Sequence, residues 1–143
     1  MTNKIAIGCD HAGPELKKAI SDFLISSGYE VNDFGTNNLD SVDYPDYAKS
    51  VAQSIMKSES DLGILICGTG IGISIAANRF KEIRAANCCT VEMAELSRQH
   101  NNANVLVLGA RIIDKDTAIN CVKTFLDTEF EGGRHQKRID KMS

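Results

Sequence analysis

Short apolar runs alternate along this chain with longer stretches of amphipathic spacing. Lys4 to Cys9 and Leu62 to Cys67 are rich in Ile and Leu with little polar alternation, the pattern of parallel strands buried on both faces. Further strands are expected at Glu30 to Phe34, Ile83 to Cys88 and Asn104 to Leu108. Between them, apolar residues recur at three- and four-residue intervals. Leu16, Ala19, Ile20, Phe23 and Leu24 mark one buried face of a helix from Pro14 to Ser27, and Pro14 suits its first turn. Other helices are expected from Pro45, from Ile71 to Phe80, from Val91 to His100, and from Lys115 to Leu126 behind an Asp114 cap. Gly35 to Tyr44 is a polar loop long enough to rim a site, and Asp127 to Ser143 is a tail.

With neither linker nor repeat, this alternation predicts one domain over residues 1–143. Its class is α/β: a three-layer αβα sandwich around a five-stranded parallel, Rossmann-like sheet, with a C-terminal helical tail.

Composition narrows the function classes. The chain has 143 residues, 43% of them hydrophobic, and a net charge of −3, which supports one core without metal or disulfide staples. Mild acidity speaks against nucleic acid as a partner. The apolar run before Asp10 is too brief for a signal peptide. The longest uncharged stretch, Leu62 to Asn78, falls short of the ~20 residues that span a bilayer, so no membrane partner is expected either. Five cysteines, an odd number with no CxxC pair, fit reduced thiols in a cytoplasmic protein and argue against a zinc ribbon.

In open parallel sheets, ligands bind beyond the carboxyl ends of the strands. The first expected strand ends in Cys9-Asp10-His11-Ala12-Gly13, and the third in Cys67-Gly68-Thr69-Gly70-Ile71-Gly72. Gly68, Gly70 and Gly72 just before a helix would let backbone amides approach an anion, helped by the helix dipole; a plain tight turn is the alternative. Cys67 would stand beside that helix N-terminus, a position that favours thiolate and equips a cysteine as base or nucleophile. A small buried hydrophobe is the commoner fate of cysteine, and Cys88, Cys89 and Cys121 are assigned that role.

Asp10 and His11 offer a carboxylate and an imidazole at a strand end, with a turn cap as the competing account of Asp10. His100, followed by Asn101 and Asn102, is either functional or a helix-terminal residue satisfied by the dipole. In the tail, a helix would set Arg134 and Arg138 on one face, where two guanidinium groups can fork around a phosphate; solvated charge is the alternative.

Several motifs in order, Gly8-Cys9-Asp10-His11, Asp43-Tyr44-Pro45, Gly63 through Ser74, Ser97-Arg98-Gln99-His100-Asn101, Ala103-Asn104-Val105-Leu106 and Glu131-Gly132-Gly133-Arg134-His135, span nearly the whole chain. Together they resemble the ribose-5-phosphate isomerase B family, which is grouped with the galactose-6-phosphate isomerase subunits. The resemblance implies reversible interconversion of D-ribose 5-phosphate and D-ribulose 5-phosphate in the pentose phosphate pathway, with no metal and no organic cofactor.

It further implies Cys67 as the base that moves a proton between C2 and C1, and Thr69 as the handler of a hydroxyl proton. The amides of Gly68, Thr69, Gly70, Ile71 and Gly72 would then cradle the oxyanion. His100 looks like the ring-opening group, Asp10 a holder of sugar hydroxyls, and Asn101 a further oxyanion or hydroxyl contact. Arg111, Arg134 and Arg138, with His11, look like the phosphate clamp. The family forms homodimers, and in some cases tetramers, with the site built from both subunits.

Within the class, isomerisation of a hexose 6-phosphate such as allose or galactose 6-phosphate is the alternative, since the proton-transfer machinery would be the same. A dinucleotide-binding module fits poorly, because Ile73 stands where the third fingerprint glycine would be. A phosphoacceptor domain would want an acidic cluster after the first strand and an aspartate where Cys67 stands.

Overall fold

The computed structural model describes residues 3–142. Its strands are β1 (Lys4–Cys9), β2 (Glu30–Asp33), β3 (Leu62–Cys67), β4 (Ala85–Asn87) and β5 (Val105–Gly109). All pair in parallel, in the order β2-β1-β3-β5-β4. The helices are α1 (Pro14–Ser26), α2 (Tyr44–Met56), α3 (Ile71–Ala77), α4 (Val91–Gln99), α5 (Lys115–Asp127) and α6 (Arg134–Asp140).

The strand order dictates which face each helix covers, because parallel crossovers are right-handed. From β1 to β2 and from β4 to β5 the chain steps one way across the sheet, so α1 and α4 lie on one face, where α5 joins them. From β2 to β3 and from β3 to β4 it steps the other way, so α2 and α3 pack together on the opposite face.

Side chains sort accordingly. Ile5, Ile7, Ile64, Ile66, Leu106 and Leu108 meet Ile20, Leu24, Val122 and Phe125 on the first face. On the second, Ala6, Leu65, Cys67, Val105 and Val107 meet Ala48, Val51 and Ile73. Each wholly buried Ile or Leu contributes roughly 1.5–3 kcal/mol. A β-carbon at Gly63 would lie 2.6 Å from Val51, so a bare backbone there lets α2 settle onto the sheet.

The expected strands and helices form, with differences at their ends. β4 has three residues where six were expected, and α3 stops at Ala77 instead of Phe80. One side chain accounts for both: Asn78 donates to the Ala85 carbonyl (2.9 Å) and accepts from the Ala85 amide (2.8 Å), closing the outer edge of β4. The tail forms α6 with His135 and Ile139 turned inward. No helix among the described residues is long and apolar enough to cross a membrane.

Candidate active site

The sheet reverses its direction of growth between β1 and β3, and their carboxyl ends open a crevice there. Asp10 is buried at its floor and donates its amide to the Ile66 carbonyl (3.1 Å). Its Oδ1 accepts the Ala12 N–H at 2.9 Å, so the turn role is real and occupies one carboxylate oxygen. His11, beside it, accepts the Val42 N–H on Nδ1 at 3.2 Å. A backbone amide only donates, so that nitrogen is bare and the neutral ring carries its proton on Nε2.

Val42 belongs to the polar loop, which is fastened from beneath. Lys17 is buried, with Nζ 2.5 Å from Asp33 Oδ2 and 2.7 Å from Asn37 Oδ1. Asp33 Oδ1 in turn accepts the Gly35 N–H (2.8 Å), and at the loop's start the Cys9 N–H donates to the Gly35 carbonyl (2.6 Å) while the Cys9 carbonyl accepts the Thr36 N–H (2.8 Å). Sequence reasoning passed over Lys17, although its place three residues before Ile20 set it on the buried face of α1. Cys9, below this loop, donates to the Thr36 carbonyl, and burial pushes its thiol up to about 12.

The loop after β3 wraps around a sulfur. Cys67 is buried, and the Gly70 N–H donates to its Sγ at 3.2 Å, an arrangement that supports negative charge on sulfur. Gly70 sits at φ 80°, in the left-handed region, and a side chain there would also run into Asn87. The Ile71 N–H, at the start of α3, donates to Thr69 Oγ1 (3.1 Å) in a local turn. Two of the amides expected to face an anion are thus engaged inside the loop itself.

Three neighbours close on this loop. Arg111 donates its backbone N–H to the Gly68 carbonyl (2.9 Å), and its guanidinium covers Gly68, while the Tyr44 ring stands 2.6 Å from where a Gly72 β-carbon would be. Asn87 donates to the Thr69 carbonyl (3.4 Å). Asp10, His11, Cys67, Gly68, Thr69, Gly70, Ile71, Gly72 and Arg111 therefore share one pole of the molecule. Tyr44 and Asn87 join them without having been assigned a role from sequence; a polar residue at the end of the expected fourth strand was the available signal for Asn87.

The remaining candidates gather at the other pole. Helices run antiparallel to the strands they follow, so His100, the C-cap of α4, lies at the amino-terminal edge of the sheet. Arg98 holds this turn by donating to Asn102 Oδ1 (3.5 Å) and to the Ala103 carbonyl. The His100 ring stacks on His135, centroids 4.4 Å apart and planes 16° from parallel. Glu131 Oε1 lies 3.5 Å from His135 Nε2 and 4.0 Å from His100 Nε2. Desolvation, with neighbouring His100 and Arg134, holds His135 below the usual imidazole range, against the pull of Glu131.

Arg134 and Arg138 are exposed on α6, away from buried His135 and Ile139, and Asn101 is exposed beside a hollow lined by Arg84 and Ile139. A strand of this length separates the poles by roughly 20 Å. One chain therefore does not bring His100, Asn101, Arg134 or Arg138 to Cys67.

Comparison with known proteins gives this two-part arrangement a context. A family described as Ribose/Galactose Isomerase matches residues 5–142. The chain belongs to that family. Ribose-5-phosphate isomerase B of Escherichia coli (strain K12) is 49% identical to it over 140 residues, covering 98% of this chain and 94% of that protein. The structure of ribose-5-phosphate isomerase B from Clostridium thermocellum superposes with a TM-score of 0.96 at 54% identity, covering 97% of this chain and 94% of that one. The Mycoplasma genitalium ribose-5-phosphate isomerase B, solved with bound ribulose-5-phosphate, gives a TM-score of 0.94 at 48% identity, covering 99% of this chain and 95% of that one.

Proposed function

We propose that this chain interconverts D-ribose 5-phosphate and D-ribulose 5-phosphate, as a cytoplasmic enzyme of the pentose phosphate pathway whose 143 residues act as a single domain. The observation that carries the reading is the Cys67 sulfur, met by the Gly70 amide at the floor of the crevice beside Asp10. Relatives at about half identity over almost the full chain, one solved with ribulose-5-phosphate, support the substrate.

The chemistry divides among the named groups. His100 moves the proton that opens the furanose ring, and Asp10 holds sugar hydroxyls with its second carboxylate oxygen. The Cys67 thiolate takes the proton from C2, leaving an enediolate, and returns it to C1 as the carbonyl passes from C1 to C2. Thr69 carries the proton between the two oxygens, and the loop amides still free of internal bonds, with Asn101, face the developing negative charge. His11 Nε2–H, Arg111, Arg134 and Arg138 grip the phosphate.

His100, Asn101, Arg134 and Arg138 can take these roles only if a second copy presents its amino-terminal pole to the crevice of the first. A homodimer with two shared sites is the smallest assembly that does so.

The test is conversion of ribose 5-phosphate by the purified chain in EDTA, with Cys67→Ala alongside. Turnover in the parent, and a loss on the order of 10²-fold or more in a folded variant, is the expected result. Undiminished activity in the variant would overturn the role of Cys67. A higher kcat/KM for allose or galactose 6-phosphate would transfer the assignment to a hexose.

A further inference from the structure

The geometry points to Asn87 as a positioning residue for Cys67: its side-chain amide holds the Thr69–Gly70 peptide in the orientation that aims the Gly70 N–H at the sulfur. The inference deepens the isomerase reading and rests on Cys67 as the base of that reaction.

In a trans peptide the carbonyl and the N–H point in opposite directions, so fixing one end aims the other. The Thr69 carbonyl accepts from Asn87 Nδ2 at 3.4 Å, and the N–H of the same peptide, carried by Gly70, donates to Cys67 Sγ at 3.2 Å. Asn87 also sets its Oδ1 against the bare α-carbon of Gly70. From β5, a β-carbon on Gly109 would stand 2.6 Å from the Thr69 oxygen, so that glycine gives the carbonyl room.

The peptide has a second orientation open to it. Gly70, at φ 80° and ψ −14°, has the angles of the third residue in a type II turn, and a type I turn differs by turning over the peptide just before that residue. A flipped Thr69–Gly70 peptide would present its oxygen to the sulfur, where the negative end of the dipole opposes a thiolate. By bonding that oxygen, Asn87 favours the productive orientation. A carbonyl that accepts a hydrogen bond also polarises the N–H at the other end of its peptide.

Asn87 has no competing partner. It is half-buried at the end of edge strand β4, where asparagine is a poor strand former, and its amide makes no other hydrogen bond among the described residues. Its backbone is held separately, paired with Val107 of β5. The ionisable side chains at this pole are Asp10 and His11 after β1, Tyr44 and Tyr47 on α2, and Arg111 after β5. Uncharged Asn87 adds nothing to that set, so its influence on the sulfur passes through the peptide.

The experiment is a pH titration of the Cys67 Cβ resonance by NMR in the full chain made with isotopically labelled cysteine, the signal being assigned by its loss in Cys67→Ala. Steady-state kinetics cover the same pH range. In Asn87→Leu, which keeps the volume of the side chain without its amide, the titration midpoint should rise by about one pH unit, since losing a hydrogen bond to a charged group costs about tenfold or more. Below the midpoint kcat should fall about tenfold with KM changed by no more than about twofold, and kcat should return as pH passes the new midpoint. A role confined to packing would lower kcat alike at every pH and leave the midpoint where the parent has it. That result in a folded variant would overturn the assignment, and Asn87→Ala carries the same test if Asn87→Leu does not fold. The resonance reports the thiol whether or not sugar turns over, so a raised midpoint in the variant of a parent without turnover would count against the isomerase reading alone.

Discussion

The Arg111 guanidinium lies across Gly68, its Nη1 3.1 Å from where a β-carbon on that glycine would stand. The arginine reaches the crevice because the backbone beneath it is bare. Gly68→Ala should therefore push the guanidinium aside while leaving the core untouched. A several-fold rise in KM for the sugar phosphate is expected, with Tm changed by no more than a few degrees, since Arg111 is exposed and flexible. Steady-state kinetics and a thermal melt check both, and an unchanged KM would remove Arg111 from the phosphate contacts.

Two inactive variants should rescue one another. If each site takes Cys67 from one chain and His100 from another, a mixed dimer of Cys67→Ala and His100→Gln has one doubly impaired site and one intact site. Random mixing makes half of the dimers mixed, so about a quarter of parental activity should return on co-refolding. No recovery from a demonstrated mixed dimer would mean that the two poles do not share a site.

Much of this organisation was legible beforehand, for a physical reason. β1 and β3 begin and end where the apolar runs do, because strands buried on both faces leave no polar residue to blur their limits. β4 was overextended: as an edge strand it is bounded by the side chain of Asn78, which no periodicity records. The glycine loop and Cys67 fell at the expected strand end. The strand order, the partition of site residues between two poles and the burial of Lys17 depend on contacts between distant segments, to which local spacing is blind.

Lys17→Met should loosen the rim of the crevice. It removes the cation that Asp33 and Asn37 share, and Asp33 is only partly exposed. A loss of roughly 1–3 kcal/mol is expected in urea unfolding, less than for a wholly buried pair because water reaches the remaining carboxylate. KM should rise as well, since the same loop supplies the Val42 N–H that orients His11. Full stability with unaltered KM would show that the loop holds without its anchor.

Alkaline pH should destabilise the fold through Cys9. The native chain keeps this thiol protonated to about pH 12, whereas an unfolded chain ionises it near 9.0. Its contribution is whole below pH 9 and is lost as pH climbs toward 12, because there the unfolded state binds fewer protons than the native one. Cys88, pushed up to about 11 by burial, acts in the same sense. Each such thiol steepens the decline by about 1.4 kcal/mol per pH unit, so Cys9→Ala should flatten a plot of unfolding free energy between pH 9 and 11. Identical slopes for parent and variant would count against the protonated native thiol.

The position of β5 also bears on how the protein is made. This strand is the last to leave the ribosome, yet it fills the gap between β3 and β4, and β4 pairs with nothing else in the sheet. A nascent chain halted before Val105 carries β1, β2 and β3 as a partial sheet with one raw edge, while Ala85 to Asn87 wait without a neighbour. β4 can join the sheet only once residues 105–109 are available to pair with it, and until then β3 keeps an unpaired edge, the kind of surface that other extended chains can add to.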